Sequence, residues 1–235
     1  MEKLSNIDTS LSDTLRNSDL QNVTEGLAET FIDSMLNDGI LKDLPIVGSI
    51  VGLSKTAISI KNMLFIKNLF YFLSGINHIS IEERRKMIDS VNESKNQKIK
   101  VGEKLIYILD KCDDYIDAKY IAQLFCAFLE KKVSYEEFLK GSRIIQSIFV
   151  GDLEYFLATD ISEFEKKSSS EESPTEDVFP LINVGICGFG YNPISVDDQD
   201  NSDSYDRYKV EGGEAVIWVS SIGRKIKEIL KIVKR

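Results

Sequence analysis

Hydrophobic residues follow a helical period over residues 1–38. Leu4, Ile7 and Leu11 recur three to four residues apart. A second group has the same spacing: Leu20, Val23, Leu27 and Phe31. Because residues three and four apart share one face of a helix, this spacing predicts amphipathic N-terminal helices. The pattern stops at Asp38 and Gly39, where we place the end of this region.

The next region, residues 39–79, has a different pattern. It contains two apolar runs, LPIVGSIVGLSKTAISI at 44–60 and NMLFIKNLFYFL at 62–73. On a helix, the first run is apolar around most of its circumference, whereas a soluble surface helix has a wide charged face. Small and polar residues form one narrow stripe at spacings of four, three, four and three residues: Gly48, Gly52, Lys55, Ser59 and Asn62. We expect this stripe to line an oligomer seam or a pore.

Two interpretations of residues 44–73 stay open. A helix of 44–60 would be roughly 25 Å long, the lower limit for spanning a bilayer. Gly48 and Gly52 would let two such helices approach closely, with Lys55 facing other copies or a wet lumen. In the other interpretation, the segment is a helical hairpin buried in a soluble core, with Pro45 in its first turn.

The remaining chain predicts a helical bundle at 80–159, an acidic linker at 160–178 and a mixed region at 179–235. Ser80 with Glu83, and Ser134 with Glu137, have the spacing of capping boxes that begin helices. In the mixed region we expect strands at 179–187 and 214–220, joined as a hairpin with a long acid-rich tip, and then a basic amphipathic helix. The predicted fold class is therefore mainly α, with a small C-terminal β-hairpin.

Composition argues against a conventional enzyme and against a metal or cofactor site. The chain has one histidine and three cysteines, and the cysteine spacing fits neither a zinc site nor a redox pair. The net charge of −9 hides two basic segments, residues 39–80 and 211–235. Basic side chains next to apolar ones are typical of surfaces that contact membranes or polyanions.

Basic side chains outside the apolar runs are candidates for binding a nucleic acid backbone. Eight residues make up this predicted surface: Arg84, Arg85, Lys98, Lys100, Lys104, Arg224, Lys225 and Lys227. Acidic residues interleaved with the basic ones weaken this prediction and favour an ordinary charged surface.

Four segments carry a resemblance to a known family: DLPIVGSIVGLSKTAISIKNMLFIKNLFYFLSG, IEERRKMID, KVGEKLIYILDKCDD and YIAQLFCAFLEKKVSYEEFLKGSRII. Over residues 40–155 the chain resembles membrane effectors of bacterial anti-phage defence, most closely the effector subunit of the Hailong system. The resemblance implies a homotetrameric ion channel in the bacterial inner membrane with a cytoplasmic domain. A single-stranded DNA oligonucleotide, made by a nucleotidyltransferase encoded nearby, would hold it closed until infection opens it and depolarises the cell.

Two functions are therefore expected, and they differ in the role of residues 44–73. The first is the ligand-gated membrane channel of abortive infection. The alternative is a soluble, cytoplasmic, oligomeric helical module that binds proteins or nucleic acids, with residues 44–73 as buried core.

Overall fold

The chain forms two compact units in a computed structural model that describes residues 2–26, 44–54, 60–94, 100–165, 176–198 and 208–233. Unit 1 comprises Met1–Gln146 together with Ile229–Arg235, and unit 2 comprises Ser147–Glu228. The predicted fold class is confirmed, because the chain is mainly helical, with a small β-hairpin and a final helix near its C-terminus.

The described part of unit 1 is helical. Its helices are α1 (Glu2–Asn17), α2 (Pro45–Ser54), α3 (Ile60–Gly75), α4 (Ile81–Asn92), α5 (Val101–Asp110), α6 (Tyr115–Leu129) and α7 (Tyr135–Ile145). Both predicted capping boxes are confirmed: Ser80 begins α4 and Ser134 begins α7, each accepting a hydrogen bond from the backbone N–H three residues on. Asp114 begins α6 in the same way, with Asp117 as its partner.

The core of unit 1 forms around α6, of which most residues are buried. The Phe125 ring lies 5.4 Å from that of Phe72 on α3 and 5.3 Å from that of Phe138 on α7. A Cβ added at Gly75 would lie 2.6 Å from the Cβ of Ala122, so α3 and α6 approach closely because both residues are small. The end of the chain also packs here, where the backbone of Lys231 exchanges two hydrogen bonds with the Gln123 side chain.

The start of the apolar segment packs against α1. Ile46, Val47 and Ile50 are buried. The backbone N–H of Ile46, in the first turn of α2, donates to the Thr14 hydroxyl oxygen at 3.1 Å. This bond satisfies one of the donors that the first turn of a helix leaves without a helical partner. One face of α2 is therefore an internal contact of unit 1.

The membrane-channel prediction is contradicted by these helices. None of the helices in the described ranges is both long and apolar enough to cross a membrane. The two helices of the apolar segment have 10 and 16 residues, which correspond to roughly 15 and 24 Å against a hydrocarbon core of about 30 Å. Residues 68–73 of α3 are buried inside unit 1, as the buried-core alternative expects. The ion channel, the transmembrane helix and the inner-membrane location lose their support.

Unit 2 combines short helices with a hairpin. Its elements are α8 (Val150–Ala158), α9 (Ile161–Phe164), a 3-10 turn (Glu176–Val178), α10 (Phe179–Asn183), β1 (Cys187–Tyr191), β2 (Ser195–Asp198), β3 (Tyr208–Glu211), β4 (Ala215–Val219) and α11 (Ser221–Ile229). The strand predicted at 214–220 corresponds to β4. The strand predicted at 179–187 is wrong over most of its length, because Pro180 opens a short helix there and a strand begins only at Cys187. Proline is favoured in the first helical turn and has no N–H to donate to a β-ladder.

Candidate interaction surface

The four strands that the structure describes in unit 2 form one bent hairpin, which we call the arm (residues 187–198 and 208–219). β1 pairs antiparallel with β4, and β2 pairs antiparallel with β3. Between the two ladders, the N–H of Asn192 donates to the Glu214 carbonyl at 3.0 Å, and the N–H of Gly213 donates to the Asn192 carbonyl at 3.1 Å. These two hydrogen bonds continue the antiparallel backbone pairing between the β1–β4 ladder and the β2–β3 ladder.

The bend between the ladders depends on two glycines. Gly212 and Gly213 have φ of +93° and +83°, a conformation that side chains with a Cβ rarely adopt. A Cβ at Gly212 would also lie 2.0 Å from the Pro193 carbonyl oxygen. The strand entering the bend and the strand leaving it therefore touch backbone to backbone.

Trp218 dominates one face of the first ladder. Its Cα partner across the ladder is Gly188, and a Cβ built on Gly188 would lie 2.3 Å from the indole ring. A Cβ on Gly190 would lie 3.3 Å from the same ring. The indole therefore covers two residues that have no side chain, while 46% of Trp218 stays exposed. An aromatic ring over a facing glycine is a known way to stabilise a ladder.

The other face of the first ladder changes from buried to exposed along its length. Cys187 and its partner Val219 are buried. Phe189 and Tyr191 follow on the same face, with their rings edge to face at 5.3 Å. Tyr191, the residue farthest from the buried pair, is 68% exposed. The apolar face thus continues beyond the part of unit 2 that covers it.

The second ladder is exposed on both faces, since all eight residues of β2 and β3 are exposed. Val196 and Val210 are directly opposite each other and form the middle of one face. On the other face Asp197 is opposite Lys209, and the Lys209 ammonium lies 2.5 Å from a carboxylate oxygen of Glu211. The face with Val196 and Val210, which we call the apolar face, also carries Tyr208 opposite Asp198, whereas the other face is charged.

Exposed apolar side chains are concentrated on the arm. Thirteen large hydrophobic side chains are exposed among the residues that the structure describes, and seven of them belong to the arm. These seven are Phe189, Tyr191, Ile194, Val196, Tyr208, Val210 and Trp218. Because folded proteins rarely leave large apolar areas exposed without a role, this concentration marks the arm as an interaction surface.

The predicted nucleic-acid residue Arg84 lies inside unit 1 and is only 1% exposed. Its guanidinium donates to the Ile79 carbonyl at 3.2 Å and to the Leu15 and Ser18 carbonyls at 2.7 Å each. Burial lowers the pKa of the guanidinium, although Asp19 and Glu82 oppose the shift. Arg84 is therefore a structural residue, buried away from any phosphate.

Arg85 contacts the same end of α1 from the surface. Its Nε donates to the Arg16 carbonyl at 3.2 Å, and its Nη2 donates to the Asn17 side-chain oxygen at 3.2 Å. The last carbonyls of a helix have no helical partner, and the C-terminal end of the helix dipole attracts cations. Together, Arg84 and Arg85 close the end of α1 with side chains from α4.

Two predicted cations of α11 also serve the fold. The Lys227 ammonium donates to the carbonyls of Phe156 at 2.7 Å and Leu157 at 3.2 Å, and to that of Thr159. It thereby closes the end of α8 as Arg84 closes that of α1, and burial lowers the pKa of this lysine. Arg224 forms an ion pair with Glu165.

The other predicted cations are more dispersed. Lys100 and Lys104 lie one turn apart at the start of α5, and Lys100 is exposed. Lys225 is half-buried on α11, and Lys98 lies outside the described residues. The nucleic-acid surface and its oligonucleotide ligand stay predictions, and Arg84, Arg85, Arg224 and Lys227 make the contacts within the chain given above.

Of the predicted seam, the structure describes Gly48 most fully. Gly48 is exposed on α2, and a Cβ added there would meet nothing within 4 Å. Gly52 and Asn62 lie in the helical backbones of α2 and α3, whereas Lys55 and Ser59 lie outside the described residues. The oligomer seam stays a prediction.

Reactive chemistry has little support among the described side chains. All three cysteines are free and buried, and burial raises the pKa of Cys126 to about 12 and that of Cys187 to about 11. Burial also raises the pKa of Cys112. Thiols held in the protonated form are poor nucleophiles. In the parts of the chain that the structure describes, no group of three or more histidine, cysteine, aspartate or glutamate side chains could hold a metal ion.

Comparison with known proteins adds no relative, since no family model, curated protein or solved structure matches the chain. The resemblance of residues 40–155 to the Hailong effector stays a prediction.

The residues of the arm were not among the candidate surfaces predicted from the sequence. A signal was present in β1, where apolar residues alternate with glycines at the period of two that is typical of strands, and β4 is apolar throughout. The pattern identifies strands with two distinct faces. It does not identify which face is covered, because that depends on the rest of unit 2.

Proposed function

We propose that the protein is a non-catalytic module that assembles with copies of itself through the exposed apolar side chains of the arm. The observation that carries the proposal is the concentration of seven exposed large hydrophobic side chains on one hairpin. Aromatic residues such as Tyr191 and Trp218 are enriched in the centres of protein interfaces.

The fold of the arm supports the same proposal. A two-stranded ribbon is only marginally stable in water unless a further strand or another element covers one of its faces. All eight residues of the second ladder are exposed, although its Val196–Val210 pair forms the middle of the apolar face. Association with another chain would supply the missing contact.

The described thiol and lysine side chains favour a binding role over catalysis. The thiols are buried with raised pKa values, and Lys227 is held by backbone carbonyls.

The test is the mass of the full chain in solution, measured by light scattering after size-exclusion chromatography over a range of concentrations. We expect the mass to rise with concentration. A triple variant Tyr191→Ser, Val196→Ser and Val210→Ser should weaken self-association at least about tenfold, equivalent to about 1.4 kcal/mol. Tyr107→Ser is the matched control, because Tyr107 is an exposed aromatic residue of unit 1 that lies outside the arm.

A wild-type mass equal to one chain at every concentration would overturn the proposal. Equal losses of self-association in the triple variant and in Tyr107→Ser would also overturn it, since the effect would then not belong to the arm.

A further inference from the structure

The second ladder offers two strand edges for pairing with another chain. Among the described strands, β2 has β3 as its only neighbour and β3 has β2. Each strand therefore presents an outer edge, and such edges are templates for adding another strand. The two edges differ in their side chains, and this difference selects one of them.

The apolar face restricts the register of any pairing between two copies of β3. In an antiparallel pair, directly opposite residues lie on the same face, and a shift by one residue moves every side chain to the other face. Val210 lies on the apolar face, whereas Lys209 and Glu211 lie on the charged face. Two copies of β3 place apolar residues on one face and charged residues on the other only if the two-fold axis lies between the two copies of one and the same residue.

Charge then decides which residue that is. With the axis at Lys209, two ammonium groups would be directly opposite each other, which is unfavourable. With the axis at Val210, the two valines are opposite each other, and Lys209 of each copy is opposite Glu211 of the other. The second arrangement extends the apolar stripe of Val196 and Val210 through four strands and adds two pairs of opposite charge.

The β2 edge has no comparable register. An axis at Asp197 would place two carboxylates opposite each other, and an axis at Val196 would place Asp197 opposite a serine, Ser195. Neither register forms an ion pair, whereas the β3 edge forms two.

We infer that two copies of the chain pair antiparallel through the outer edges of β3, about a two-fold axis at Val210. The result is a continuous four-stranded sheet in the order β2, β3, β3 and β2. This inference rests on the proposed self-assembly and names the strand, the register and the charge pairs that produce it.

The first test uses engineered cysteines in the full chain. Across the axis, the two copies of residue 210 would have Cβ atoms about 4.5–5.5 Å apart, near the separation of a disulfide. The two copies of residue 196 would be about 14 Å apart, three strand spacings. Under mild oxidation, Val210→Cys should form a covalent dimer, and Val196→Cys, the matched control in the same apolar pair, should not. The native cysteines are all buried.

The second test uses charge reversal and mixing. Lys209→Glu places glutamates opposite each other in the dimer, and Glu211→Lys places lysines opposite each other. Each variant alone should self-associate about tenfold more weakly than wild type. Mixed together, the two variants should form a heterodimer of near wild-type affinity, because both pairs again have opposite charge.

The matched control repeats the same charge changes at an exposed ion pair on α7, Lys140 with Glu136. Lys140→Glu and Glu136→Lys should each self-associate like wild type, and mixing them should change nothing. A gain on mixing this control pair would mean that net charge alone produces the effect, which would overturn the inference.

The outcomes separate the two proposals. A monomeric wild type removes both. A dimer that the triple serine variant weakens, but that neither charge reversal changes, leaves the proposed function in place and overturns the β3 pairing. Equal crosslinking of Val196→Cys and Val210→Cys also overturns that pairing.

Discussion

The apolar helix α3 and the arm show how differently a fold can treat hydrophobic sequence. α3 reads IKNMLFIKNLFYFLSG, and its residues 68–74 are buried. The arm contains glycines, aspartates and a lysine, yet it holds more than half of the exposed large hydrophobic side chains of the described chain. A helix in a bundle has neighbours on several sides, whereas a two-stranded ribbon has two faces and little of its own unit to cover them. The hydrophobicity of a segment therefore does not determine its exposure.

Some basic residues show the converse, because they are enclosed within a unit although the sequence predicts them on the surface. Arg84 and Lys227 belong to segments that looked like charged surface, and both are held by backbone carbonyls at helix ends. These two charged side chains stabilise helix ends within their units, whereas the apolar side chains on the arm are exposed and available for binding.

The largest expected effect is at the centre of unit 1. Phe72→Ala removes a ring that is fully buried against Phe125, and should lower the free energy of unfolding by about 3–5 kcal/mol. Urea denaturation followed by circular dichroism measures it. Tyr107→Ala, at an exposed aromatic residue of the same unit, should change stability by less than about 0.5 kcal/mol. Similar losses in both variants would contradict the burial of α3.

The next effect separates a structural arginine from a surface one. Arg84→Met keeps the length of the side chain but leaves the Leu15, Ser18 and Ile79 carbonyls without these donors, and should cost about 2–4 kcal/mol. Arg85→Met, at the exposed neighbour, should cost less than about 1 kcal/mol. The measurement is the denaturation midpoint. Equal midpoints for the two variants would mean that Arg84 does not hold the end of α1.

A smaller effect depends on pH. Burial raises the pKa of Asp117 from 3.8 to about 6, against the lowering effect of backbone hydrogen bonds from Asp114 and Asp113. Between about pH 4 and 6 the folded protein therefore binds more protons than the unfolded chain, so this group makes stability fall as pH rises. Asp117→Asn should be more stable than wild type at pH 7, by about 2 kcal/mol, and should flatten that slope.

The measurement is urea denaturation at several pH values from 4 to 7. An unchanged slope in Asp117→Asn would show that Asp117 is charged at no cost in the folded protein.

The smallest effect on stability is expected on the arm. Tyr191→Ser should change the free energy of unfolding by less than about 0.5 kcal/mol in dilute protein, because the side chain is mostly exposed. It should nevertheless weaken self-association in light-scattering measurements. A large loss of stability in dilute protein would mean that Tyr191 is part of the core of unit 2, and the contrast with α3 would disappear.

Some of the fold could be predicted because its causes are local. The capping boxes at Ser80 and Ser134 need only a serine and a glutamate three residues apart, and both form. The strand predicted from Phe179 failed for a local reason as well, since Pro180 favours the first turn of a helix. The burial of Arg84 was beyond local rules, because its partners Leu15 and Ser18 lie more than sixty residues away in the chain.

The sequence by itself determined the mainly helical fold class, the starts of α4 and α7, and the presence of a C-terminal hairpin. Periodicity and capping act over three or four residues, so they can be identified in one dimension. Only the tertiary structure decided which apolar face is covered and which basic side chain is enclosed. Those outcomes depend on the elements that pack against each segment, and contacts such as Gly75 with Ala122, or the Lys227 ammonium with the Phe156 carbonyl, join residues far apart in the chain. α3 is covered because α6 packs against it, and the arm stays exposed because no described element covers its second ladder.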